Sequence, residues 1–309
     1  MKNYFLLYII IILLSLLFIL LLKKMYTPII DKYENKKIVI HKRLLRIKQD
    51  QKWFIPGLGD FFKGTFSLYN ISKRNGYTFY IDISEHPIGK YINSTIPDQY
   101  TKLPNKINEF FYFYNVHNHN ELTDKVNEIM KVEDIGIFET NLEPEINNEL
   151  QNNDMINLRE LFIPNDYLQD RIQNIKLELG LDKYSVLHIR TGDSNINKGL
   201  NSKIINSVEE ILDKIKFTEN VLLLSDSSEL KLYLKKKYNF KILDSEIIHL
   251  GFLESENMEN GIESTLIDFF LICGASYIYS LSVYGWNSGF SLMASKLYMI
   301  PIEKYIINQ

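Results

Sequence analysis

Along most of the chain, short apolar runs alternate with stretches whose apolar residues recur every three or four positions. The runs "KWFIP" (52–56), "YTFYIDI" (77–83), "FFYFYNV" (110–116) and "IGIFET" (135–140) have the length and the β-branched and aromatic content of buried strands. Helical spacing over about 61–73 and over "ELTDKVNEIMK" (121–131) separates them. A helix over "NDYLQDRIQNIKLELG" (165–180) leads to a second series, in which "YSVLHI", "VLLLS", "FKILD", "IIHLG" and "SYIYSL" alternate with helices near 204–216, 228–237, 262–274 and 287–296. Strands alternating with helices predict parallel sheets covered on both faces. The expected fold is therefore α/β, with two Rossmann-like doubly wound domains at 51–170 and 171–309 and a cleft between them.

The first 50 residues break this pattern. Phe5 to Leu22 is unbroken apolar sequence but for Ser15, and Lys23 and Lys24 end it. That length spans a bilayer, so residues 1–22 read as a single-pass membrane anchor, and no small-x-small site follows that would mark a cleaved signal. Residues 23–50 are lysine-rich and read as a stem. Two signals for orientation point opposite ways. Lys23, Lys24, Lys32, Lys36 and Lys37 favour a cytoplasmic domain, whereas the sequons at Asn70 and Asn93 suit the lumen of a Golgi- or ER-type membrane.

Composition narrows the chemistry. A net charge of -3 with no long cationic run gives no footprint for nucleic acid. The single cysteine, Cys273, rules out an internal disulfide and sits in an apolar helix, where an inert thiol is expected. There is no Asp-x-Asp pair to hold a divalent ion and no Gly-x-Ser-x-Gly elbow, and His117 and His119 lack a third nearby metal ligand.

In open parallel sheets ligands bind beyond the carboxyl ends of the strands, and four such loops carry polar chemistry. In "HIRTGD", Arg190 offers a planar fork of donors for phosphate and Asp193 an acceptor, or the two pair as a staple while His188 packs in the strand. "PGLGDFFKG" places Gly57 and Gly59 before a helix, as an anion loop or an ordinary turn; it is no Walker loop, since Thr65 stands where lysine is needed. "LLLSDSSE" presents Asp226 at a strand end that also suits a helix N-cap. "YGWNSGFS" brings Ser288, Gly289, Phe290 and Ser291 to the start of the last helix, with amides and hydroxyls fit for a diphosphate.

These segments, in this order, resemble the fucosyltransferase superfamily of two-Rossmann GT-B architecture, which includes α-1,2-, α-1,6- and protein O-fucosyltransferases. "GLGDFFKG" is similar to its glycine loop, "YSVLHIRTGD" to its His-x-Arg-x-x-Asp motif, and the stretch from "ESTLIDFF" to "SGFSLMAS" to its final helix, strand and Ser-Gly-Phe-Ser segment. The resemblance implies an inverting transferase that takes GDP-fucose as donor and a glycan or glycoprotein hydroxyl as acceptor, with no metal or other cofactor. It implies that Arg190 holds the diphosphate and stabilises departing GDP, that His188 and Asp193 shape the nucleotide pocket, that Asp226 contacts the nucleoside, and that Ser288–Ser291 receive phosphate oxygens. Asp60, Glu85 and His86 are the candidates for a general base. Thr191 replaces the second arginine of the His-x-Arg-Arg form, and Asp60-Phe61 replaces the amide or arginine after Gly-Leu-Gly, which leaves the acceptor open. Another GDP-sugar as donor, or a binding protein without turnover, are the alternatives.

Overall fold

A computed structural model of the chain describes residues 37–43, 46–47, 53–54, 57–84, 86–93, 95, 110–113, 116–142, 152–192, 201–243 and 258–308. The expected anchor, the predicted strand at 247–251, Glu85 and Asp193 lie outside them. Among the described residues no helix is long and apolar enough to cross a membrane.

The first sheet begins earlier than the sequence pattern suggests. Its first strand, β1 (Ile38–Lys42), comes from the segment expected to be a stem. Lysines flank this strand, but "IVIH" between them is a short continuous apolar run and is fully buried, as a central parallel strand should be. "KWFIP" yields instead β3 (Trp53–Phe54), antiparallel to β2 (Arg46–Ile47) in a separate two-stranded ribbon. Helix α1 (Leu58–Asn75) follows and stops at Gly76, whose positive φ of 70° ends it in a left-handed cap. Then come β4 (Thr78–Asp82), a short 3-10 turn (Pro87–Lys90), β5 (Phe110–Phe113), α2 (His119–Val132) and β6 (Ile135–Thr140). The strands run in parallel in the order β4-β1-β6-β5.

Two helices link the sheets. The first, α3 (Asn152–Glu160), has no clear sequence signature because only a narrow strip, Met155 and Leu158, faces the core of an otherwise polar segment. The second is α4 (Asp166–Leu179). The second sheet comprises β7 (Tyr184–Arg190), β8 (Asn220–Ser225), β9 (Lys241–Ile242), β10 (Tyr277–Ser282) and β11 (Ile302–Ile306), all parallel in the order β11-β10-β7-β8-β9. The edge strand β11 was not predicted, since it is half-buried or exposed throughout and Glu303 and Lys304 break its apolar run. Helices α5 (Ser202–Leu212), α6 (Ser228–Tyr238), α7 (Met258–Cys273) and α8 (Gly289–Tyr298) complete the chain.

One continuous core joins the two sheets. Phe61, Phe62 and Phe66 of α1 pack with Leu266 and Phe269 of α7 and with Leu292 and Met293 of α8. Phe62 stacks on Phe269 with ring centroids 4.4 Å apart and meets Phe162 edge-on at 4.5 Å. Each buried phenylalanine contributes about 2 to 3 kcal/mol. This core fixes the N-terminal end of α1 against that of α8.

Candidate active site

The carboxyl ends of β7 and β8 hold the first group of residues. Arg190 ends β7, and its Nη1 donates to Asp226 Oδ2 at 2.5 Å, just beyond β8. Asp226 also accepts from the Thr191 amide (2.7 Å), the Thr191 hydroxyl (2.8 Å) and the Gly192 amide (3.3 Å). The carboxylate of Asp226 therefore ties the loop in place and aims the Arg190 guanidinium. Asp226 thus staples Arg190 from the neighbouring strand, and the Arg190–Asp193 pairing suggested by the sequence lies outside the described residues. Gly192 has a φ of 97°, and a Cβ there would lie 2.9 Å from Val283 Cγ2, so the loop admits only glycine. Strand alternation puts His188 on the same face as Arg190. Its ring lies 5.6 Å from that of Phe290. The imidazole is buried and Nδ1 has no protein partner. Burial lowers its pKa to about 4, with Asp226 opposing and Arg190 adding, so the ring is neutral.

The second group is formed by two helix ends. Side chains cap α2, α4, α5 and α6: Asn118, Asn165, Asn201 and Ser227 each accept a first-turn amide. Neither Gly57 before α1 nor Ser288 before α8 does so. These two side-chain-uncapped ends are the ones that meet. A Cβ on Gly59 would lie 2.9 Å from the Gly289 carbonyl carbon and 3.0 Å from the Phe290 nitrogen. Lys63, one turn along α1, reaches the same point: a Cβ on Gly289 would lie 3.1 Å from its Cε and 3.3 Å from its Nζ. The lysine side chain is 16% exposed and sits 3.8 Å from Asp60 Oδ1. Lys63, paired with Asp60, and the Arg190 loop thus lie close to two helix ends whose first-turn amides are not taken by their cap side chains.

Of the residues read as phosphate ligands in "YGWNSGFS", some are framework. Ser291 is fully buried and its hydroxyl bonds Ser280 Oγ at 2.8 Å, while Ser280 also donates to Asn287 Oδ1 at 2.5 Å. Asn287, at a φ of 68°, then accepts from the Ser288 amide at 2.8 Å. The donors left to a ligand here are the main-chain amides at the start of α8 and the Ser288 hydroxyl.

In the N-terminal half, Asp60 lies in the first turn of α1 with 43% of its side chain exposed. His86, one of the candidate bases, is buried, and its Nδ1 accepts from the Ile88 amide to cap the 3-10 turn. Burial, helped by Arg43, lowers its pKa to about 3, too low for a general base. Below Phe61 lies a buried polar cluster that was not anticipated. His41 stacks on Phe61 at 4.9 Å and bonds the Thr65 hydroxyl at 2.9 Å, while Arg43 pairs with Glu139 at 3.9 Å with neither side chain exposed. Thr65 gives its proton to the Phe61 carbonyl, so His41 Nδ1 is the donor in their bond. The only sequence hint was a histidine and an arginine at the end of "VIHKR". Lys63 and Asp268 were also missed. Asp268, on α7, has its carboxyl pushed up to about 7 by burial, with Lys231 in the first turn of α6 opposing. An acid inside "STLIDFFLIC" was the available signal.

Among the described residues no group of three side chains could hold a metal ion. Asn70, one of the two sequon asparagines, is 3% exposed inside α1 and is closed to glycosylation in this fold, whereas Asn93 is exposed.

No family model matches the sequence, and no curated protein does. The fold does have solved relatives. The fucosyltransferase NodZ from Bradyrhizobium superposes with a TM-score of 0.54 at 13% identity, over 87% of this chain and 94% of that one. A structure of NodZ α-1,6-fucosyltransferase co-crystallised with GDP gives 0.53 at 14% over the same shares. A variant of FUT1 from Arabidopsis thaliana in complex with GDP gives 0.56 at 14%, over 87% of this chain and 70% of that one. At such identities the shared property is the fold.

Proposed function

We propose that this chain is an inverting GT-B glycosyltransferase that moves fucose from GDP-fucose to a hydroxyl of a glycan or protein. The observation that carries the reading is the meeting of α1 and α8 at Gly59 and Gly289, which gathers two side-chain-uncapped helix ends and Lys63 beside the Arg190 loop. A departing nucleoside diphosphate needs such a concentration of fixed positive charge. Similarity in fold to fucosyltransferases solved with GDP supports the choice of nucleotide.

In the proposed reaction the acceptor oxygen attacks the anomeric carbon as the bond from that carbon to the β-phosphate oxygen breaks. GDP leaves, and the acceptor proton passes to a base. Asp60 is the best placed of the described candidates, being exposed at the first turn of α1. Arg190, held by Asp226, and the α8 amides receive the charge that grows on the β-phosphate, the part a divalent ion plays in other transferases. Asp226 acts by positioning Arg190 rather than by contacting the nucleoside. Neutral His188 lines the nucleotide pocket. Residues 5–22 anchor the protein in a membrane on this reading, with Asn93 the accessible sequon.

The test is thermal stabilisation of the protein by GDP, GDP-fucose, GDP-mannose and UDP-glucose without added metal, followed by GDP release with oligosaccharide acceptors. GDP compounds should raise Tm, and Arg190→Ala should remove the effect and lower transfer about a hundredfold. Folded protein that none of them stabilises would defeat the proposal. Turnover of GDP-mannose in preference to GDP-fucose would replace the sugar and keep the site.

A further inference from the structure

The turn between β10 and α8 carries an unusual surface. Trp286 is 73% exposed, and one face of its indole stacks on Tyr284 with centroids 5.0 Å apart and planes 13° from parallel. A large aromatic left open to water is a feature that packing does not explain. The turn holding it is rigid. The Ser282 hydroxyl accepts from the Tyr284 amide at 3.1 Å, the Asn287 amide donates to the Tyr284 carbonyl at 2.9 Å, and the Asn287 side chain is fastened to buried Ser280. A Cβ on Gly192 would lie 3.4 Å from the Tyr284 hydroxyl oxygen, so the tyrosine packs directly against the loop of Arg190. A Cβ on Gly285, at the tip, would meet nothing within 4 Å, so space is open around the turn.

The geometry points to Trp286 and Tyr284 as a stacking platform for a pyranose ring of the acceptor. This inference rests on the donor-site reading above. The C–H face of a pyranose is apolar and buries against an aromatic face while its hydroxyls stay hydrated. A platform with one face covered and the rest open suits such a half-wet ligand. A nucleobase is better held between two faces, and among the described residues no second ring faces the open side of Trp286. Its place, against the Arg190 loop and three residues before α8, sets an acceptor sugar beside the diphosphate it must reach. Because the turn is already fixed, binding orders little protein, which favours a weakly held, hydrated ligand.

The experiment follows Trp286 itself. The protein has two tryptophans, so Trp53→Phe leaves Trp286 as the sole indole. Where that variant fails to fold, the difference in emission between wild type and Trp286→Phe reports the same residue. The full-length chain, in detergent without sugar headgroups, is titrated with chitotetraose, N-acetyllactosamine, maltotetraose and a xyloglucan heptasaccharide, with and without GDP. At least one saccharide should change Trp286 emission, and GDP alone should not. Trp286→Ala should raise the half-saturating saccharide concentration at least tenfold and Trp286→Phe less than threefold, both keeping the wild-type rise in Tm with GDP. Emission that answers no saccharide, or a Trp286→Ala variant that loses GDP instead, overturns the platform. Wild-type protein that GDP fails to stabilise overturns the donor site, a separate outcome.

Discussion

Substituting Gly59 by alanine tests the crossing on which the site depends. The added methyl would lie 2.9 Å from the Gly289 carbonyl carbon, and carbon atoms rest at about 3.5 to 4.0 Å, so α1 and α8 must part by about 0.6 Å or more. The obstacle is backbone, which cannot rotate aside. Overpacking of this kind costs about 1 to 3 kcal/mol, but alanine within a helix recovers about 0.5 to 1 kcal/mol over glycine. Net destabilisation is thus about 0 to 2.5 kcal/mol, a fall in Tm of roughly 0 to 10 °C at about 2 to 4 °C per kcal/mol. Function should suffer more, because a shift approaching 1 Å in a binding constellation costs on the order of a hundredfold. The matched control is Gly57→Ala, whose Cβ meets only Asp60 Oδ2, at an ordinary 3.8 Å. Differential scanning fluorimetry with GDP and a GDP-release assay read both effects. A folded Gly59→Ala protein with wild-type GDP affinity and turnover would show that the two helix ends do not form the site.

Two further outcomes are expected. Asp226→Ala removes the acceptor of four hydrogen bonds and with it a part-buried carboxylate from beside Arg190, which should cost about 3 to 5 kcal/mol by thermal melting. It should also abolish stabilisation by GDP, and retained GDP binding would mean that Arg190 needs no positioning. The buried histidines set an acid limit: burial lowers His41 and His86 to about 3 and His188 to about 4, from an ordinary 6.5. The unfolded chain then binds the extra protons first, so stability is complete above pH 6.5 and declines as pH falls from there toward 3 to 4, at about 1.4 kcal/mol per pH unit for each ring. Tm should drop steeply over that range, less so in His86→Gln, and a flat profile between pH 6.5 and 4.5 would refute the assignment.

Much of the layout was legible from pattern alone because parallel strands are short apolar runs and helices keep their spacing. The exceptions have physical causes. Lysines around Ile38–Lys42 made a buried strand look like linker, although charges at the ends of a strand leave its middle apolar. Trp53–Phe54 resembled a core strand but pairs only in a small ribbon. At the site, local chemistry was readable and partnership was not. Arg190 stood out, yet its partner Asp226 lies on another strand, and in isolation "SDSSE" reads as a helix cap, which Ser227 does supply. Lys63 carries no sequence signal of its own, and only the start of α8 at Gly289 lying against it marks it out.

The crossing of α1 with α8 also has a consequence for how the protein is made. Gly59 emerges from the ribosome long before Gly289, and contacts so distant in sequence form late and slowly. Until α7 and α8 have been synthesised, Phe62 lacks the ring of Phe269, and the aromatic face of α1 has no cover from the second half. The nascent chain must therefore carry Phe61, Phe62 and Phe66 through most of translation with part of their packing missing, so chaperone binding should concentrate on α1 and be released when α8 docks. The meeting of α1 with α8 and the closing of the core around Phe62 are then a single event, so whatever site this crossing forms is absent until the second half of the chain has docked.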